Sequence, residues 1–93
     1  MFVGSLKVQF FIPASRSLKD RRAVVSSLKE RVRSRYNASV AEVDPEDRWQ
    51  RATLAVAVVG GEHAHVAAQL DAVVRLLESD PRAEVLELER DIR

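Results

Sequence analysis

Cysteine is absent from this 93-residue chain, glycine stands only at positions 4, 60 and 61, and tryptophan occurs once, at Trp49. The first absence excludes a disulfide framework, a thiol nucleophile and a Cys-ligated zinc, and it fits a reducing compartment. The scarcity of glycine leaves Pro13-Ala14-Ser15-Arg16 without the residues a phosphate cradle needs, and no serine sits in a Gly-x-Ser-x-Gly elbow. No apolar run approaches membrane-spanning length, and Met1 to Lys7 lacks the basic and apolar regions of an export signal. The expectation is a cytoplasmic protein, neither exported nor inserted in a membrane.

What is present is a globular composition, 46% hydrophobic and 31% charged. The length suits one domain with one core, spanning residues 1–93. A net charge of +1 conceals a division: residues 1–36 hold nine Lys/Arg against two Asp/Glu, and residues 37–93 hold six against twelve. A partner responds to the field of one face, not to the total, so an anionic partner stays in view.

In chain order, Phe2 to Ile12 alternates, with Phe2, Leu6, Val8, Phe10 and Ile12 on one side and Val3, Ser5, Lys7, Gln9 and Phe11 on the other. That period predicts a half-buried strand ended by Pro13. Ser17 stands three residues before Asp20, so a capped helix is predicted from Leu18. It runs to Tyr36, where a left-handed Asn37 would stop it. At 100° per residue, Leu18, Val25, Leu28, Val32 and Tyr36 form an apolar stripe. Lys19, Arg22, Lys29 and Arg33 lie along one flank, and Arg31 and Arg35 along the other. Arg21 falls within the stripe, where it has to snorkel or find an acidic partner.

Ala38 to Val43 and Thr53 to Val59 are predicted to pair as a hairpin around the turn Asp44-Pro45-Glu46-Asp47. After Gly60-Gly61, the spacing of Val66, Leu70, Val73 and Leu77 predicts a helix stopped by Asp80-Pro81. A last strand, Ala83 to Ile92, is expected to bury Leu86 and Leu88 and present Glu87, Glu89 and Asp91. The order β-α-β-β-α-β closes most economically as an α+β ferredoxin-like sandwich: a four-stranded antiparallel sheet, first and third strands central, both helices on one face. Val3, Phe11, Ala55, Ala57, Val59 and Val85 are expected on the open face, a surface suited to a homodimer or a protein partner.

Ile12-Pro13 followed by Ser17-Leu18-Lys19-Asp20-Arg21-Arg22, with Ala41-Glu42-Val43-Asp44 and Asp47-Arg48-Trp49-Gln50-Arg51-Ala52, resembles the YlxP-like family, a bacterial domain of unknown function. The resemblance spans essentially the whole chain. It implies a ferredoxin-like fold in a cytoplasmic protein with no established reaction and no catalytic residues to carry over. Members tend to be encoded beside translation and ribosome-maturation factors, which implies structured RNA or a ribosomal particle as partner.

Two readings of the basic helix stand side by side. In one, Lys19, Arg21, Arg22, Lys29 and Arg33, with Trp49 and Arg51 as outliers of the same surface, contact phosphates and release counterions. In the other, they form a solvated face whose arginines pair with the acidic second half. The third strand has no aromatics for base stacking, so RNA binding is expected through shape and charge. The plainer expectation for Trp49 is a ring folded over the end of the core.

Glu42, Asp44, Glu46 and Asp47 match no calcium-loop spacing and read as turn and ion-pair residues, so no metal is expected. His63 and His65, two apart on a helix, diverge too far to share one. An acylphosphatase has this fold and size, but its glycine-rich loop is not matched. No enzymatic activity, cofactor or small-molecule substrate is expected.

Overall fold

The computed structural model describes residues 1–44 and 48–93. Its elements are β1 (Phe2–Phe11), α1 (Leu18–Arg35), β2 (Ser39–Val43), β3 (Arg51–Gly60), α2 (His63–Glu78) and β4 (Glu84–Ile92). The sheet order is β2-β3-β1-β4, with every neighbouring pair antiparallel. This is the ferredoxin-like βαββαβ arrangement. Of the predicted turn, Pro45, Glu46 and Asp47 lie outside the described residues.

Alternation decides which strand residues meet the helices. Leu6, Val8 and Phe10 of β1 and Leu54, Val56 and Val58 of β3 are buried. On them pack Val25, Leu28 and Val32 from α1 and Val66, Leu70, Val73 and Leu77 from α2. α2 comes close because β1 and β3 carry glycine beneath it. A Cβ on Gly4 would lie 2.6 Å from Val66 Cγ1, and one on Gly60 would lie 3.0 Å from Val66 Cγ2. Neither glycine has positive φ, so Gly60 serves by making room for the helix and not by a special backbone conformation.

The start of α1 is capped as its sequence requires. Ser17 Oγ accepts from the Asp20 amide at 3.0 Å, and Asp20 Oδ2 accepts from the amide of Arg16, one residue ahead of the cap. The helix ends where expected, but not by the expected left-handed residue. Tyr36 takes the C-cap in extended conformation, and Asp44 is the one non-glycine residue of positive φ among those described, so Asn37 is not left-handed. Leu18, expected in the apolar stripe, is exposed.

β4 departs further from its alternation. Gln9 faces Glu87 but Phe10 faces Val85, so the register shifts and Leu86 is the residue passed over. Leu86 and Leu88 are 42% and 40% exposed instead of buried. The same shift turns Val85 to the helix side, where it packs against the core. Val85 is therefore not on the open face, because a bulge restarts the period that placed it there.

Candidate nucleic-acid interface

α1 divides its cations by flank. On the side facing α2, Arg31 Nη1 donates to Asp80 Oδ2 at 2.9 Å, and Arg82 reaches the same carboxylate at 2.7 and 3.0 Å. The Arg82 amide adds a bond of 3.0 Å. Hydrogen bonds from Arg82, reinforced by its charge and by Arg31 against the cost of burial, hold the Asp80 carboxyl well below the usual carboxylate range. Arg82 continues to Ser27 Oγ at 2.8 Å, tying the last loop to α1. Arg35 lies along this groove with Arg75, a cation of α2 that the sequence did not single out.

The other flank faces β2. Arg33 Nη2 donates to the Val40 carbonyl at 2.8 Å, covering part of the sheet edge. Among the described residues, no ion pair engages Lys19, Arg22 or Lys29. Lys19 and Arg22 are exposed, and Lys29 is half-buried. From Lys19 to Arg33 the flank is about 21 Å long at the helical rise.

Arg21 does not belong to that surface. Its side chain is buried beneath α1, and Nη1 donates to Glu42 Oε1 at 2.7 Å and, more weakly, to the Arg51 carbonyl at 3.5 Å. The acidic partner required by its place in the apolar stripe is present, and the guanidinium cannot also reach a phosphate. Arg21 is thus removed from the candidate contact residues.

Trp49 corrects the opposite expectation. Half of its surface is exposed, and it takes no part in the core. With Phe11, Arg48, Gln50 and Arg51 it lines a shallow concavity of about 470 Å³ at one end of the open sheet face. The segment carrying it is fastened to the end of β1. Ile12 N–H donates to the Gln50 carbonyl at 2.8 Å, and Gln50 Nε2 donates to the Pro13 carbonyl at 3.1 Å.

The rest of the open face is less apolar than expected. Val3 and Val59 face each other across β1 and β3 and are exposed, and Ala55 and Ala57 follow along β3. In the middle, Lys7 Nζ pairs with Asp44 at 2.6 Å. The hydrogen bond and charge of Asp44, then the charges of Glu89 and Glu87, raise the Lys7 pKa above its ordinary value. Glu84, Glu87, Glu89 and Asp91 of β4 stand opposite Phe11, Gln9, Lys7 and Ser5, so carboxylates predominate on that side of the face, with Asp91 paired to Arg93 Nε at 2.7 Å. Of the four carboxylates considered for a metal, Glu42 is held by Arg21 and Asp44 by Lys7, while Glu46 and Asp47 lie outside the described residues. His63 is exposed and sets its ring edge-on against Phe2, 5.6 Å between centroids.

Residues 3–90 match the family model described as Protein of unknown function (DUF503). This chain belongs to the DUF503 family. Within it, the uncharacterised protein YlxP of Bacillus subtilis (strain 168) is 29% identical over 82 residues, covering 88% of this chain and 89% of that one. Among solved structures, a designed protein with ferredoxin fold, LFR1 1, superposes with a TM-score of 0.52 at 16% identity, over all of this chain and 86% of the other. The designed protein Ferredog-Diesel gives 0.50 at 13% identity, over 96% of this chain and 83% of its own. These similarities establish the fold of this DUF503 protein. No helix among its described residues is long and apolar enough to cross a membrane.

Proposed function

We propose that this DUF503 protein is a non-catalytic cytoplasmic module that binds structured RNA, free or within a ribosomal particle, through the α1 flank facing β2. One observation carries the reading. Among the described residues, Lys19, Arg22 and Lys29 share that flank without an ion pair, whereas Asp80, Asp71, Glu42 and Asp44 of the acidic half are committed to Arg82 and Arg31, Arg90, Arg21 and Lys7. Intramolecular ion pairs therefore occupy Arg21 and Arg31 of α1 and leave this row for an external anion. Arg33 extends the row while bracing β2.

The test is co-sedimentation with ribosomal subunits at low and high salt, using the protein and its Lys19→Glu/Arg22→Glu/Lys29→Glu variant. The expected result is binding that weakens steeply with salt and disappears in the variant. Equal sedimentation of variant and wild type would refute the reading.

A second reading, a homodimer through the open sheet, draws support from the exposed Val3 and Val59 pair beside Ala57. Lys7, Asp44, Glu87 and Glu89 would confine its dry part to that end of the face. Such a dimer would be nearly indifferent to salt, which separates it from RNA binding.

A further inference from the structure

The concavity at Trp49 is unlike the rest of the open face. Elsewhere that face offers valines and alanines, a lysine and an arginine already paired, and a row of carboxylates, all poor partners for an anion. Here an indole and a phenyl ring stand beside two guanidinium groups. Among the described residues the Arg51 side chain makes no ion pair, while its backbone is held by Arg21 and by the turn from Arg48. The backbone that carries this site is also anchored through Gln50 to Ile12 and Pro13.

We infer that this concavity holds one unpaired nucleotide, its base stacked on the Trp49 indole and its phosphate beside the Arg51 guanidinium. The inference rests on the RNA reading above and narrows it. Flat aromatic surface favours a nucleobase, since every base has a π-face, and the flanking guanidinium favours a ligand that carries negative charge next to its ring. A base inside a duplex has both faces covered by its neighbours, so the occupant is a loop, bulge or end nucleotide. The chemistry differs from that of an RNA-recognition sheet, because the stacking ring stands at the entrance of β3 and not on the central strands. The ligand class is then an RNA that carries an unpaired nucleotide.

Trp49 is the only indole in the chain, so its fluorescence reports this site alone. The probes are an oligouridylate of about 8 nucleotides and a blunt RNA duplex, each also dye-labelled so that anisotropy gives affinity independently of the indole. The oligouridylate should quench Trp49 saturably, and the blunt duplex should bind without quenching it. Trp49→Ala should weaken oligouridylate binding roughly 5- to 150-fold, with Trp49→Phe less affected and duplex binding unchanged in both. Arg51→Ala should weaken the oligouridylate as well.

Duplex binding without oligouridylate quenching, or oligouridylate affinity unchanged in Trp49→Ala, would overturn the inference and leave the α1 reading standing. Oligouridylate binding that depends on Trp49, together with duplex binding indifferent to the Lys19, Arg22 and Lys29 reversals, would uphold the site and overturn the α1 reading. Failure of both RNAs to bind at low salt would overturn both.

Discussion

A guanidinium placed under a helix needs a counter-charge, and Arg21 has one carboxylate, that of Glu42, with its Nε left unpaired. Glu42→Ala would strand a buried cation, and because Glu42 retains some contact with water the cost should be about 2 to 3 kcal/mol. Arg21→Met/Glu42→Leu removes both charges and should recover most of that loss, as urea unfolding of the three proteins would show. Asp80 makes a pH prediction. Its folded carboxyl is depressed by Arg82 and Arg31, so the stability it provides is full above the ordinary carboxylate range and is lost as the pH falls below about 4. In Asp80→Asn the acid limb of the stability curve should flatten between pH ~4 and ~2, measured by thermal melts across that interval. At this scale the need for a partner to Arg21 was legible, because 100° per residue puts it in the apolar stripe. The exposure of Trp49 was not, because a ring after a turn is placed by tertiary contacts that no local period records.

Elements were read well wherever a single period ran unbroken. β1 alternates from end to end and β3 does so from Leu54 to Val59, and both helices keep their buried rows of valine and leucine. β4 was misread because its period restarts at the shift beside Leu86, which a sequence of alternating Leu and Glu does not announce. The role of Gly4 was hidden for another reason: a missing side chain at an inward position shows a gap without showing what fills it. Gly4→Ala would set a methyl 2.6 Å from Val66 Cγ1 and 2.8 Å from Leu70 Cδ1, pushing α2 off the sheet. It should cost about 1 to 3 kcal/mol, and Gly4→Ala/Val66→Ala should cost less than the sum of its parts in denaturant unfolding. Gly60→Ala, with its first contact at 3.0 Å, should be the milder change.

Over the whole molecule the fold sorts charge across the width of the sheet. The α1 row of Lys19, Arg22 and Lys29 lies toward the β2 edge, and the carboxylates of β4 line the opposite edge. The division between basic and acidic halves was legible in the sequence; which cations remain available was not, since it depends on the pairings at Asp80 and Glu42. If RNA lies along α1, each engaged cation adds about 0.7 to 0.9 to the slope of log affinity against log salt. Reversing Lys19, Arg22 and Lys29 should then lower that slope by about 2 to 3, read from anisotropy titrations at several salt concentrations. The separation of charge acts before any contact forms. A polyanion approaching at random exerts a torque on the domain, drawing the α1 side forward and swinging the β4 edge away. With RNA as that polyanion, the acidic edge would touch no phosphate and would still work as a rudder, so that a larger share of collisions would begin in the correct orientation.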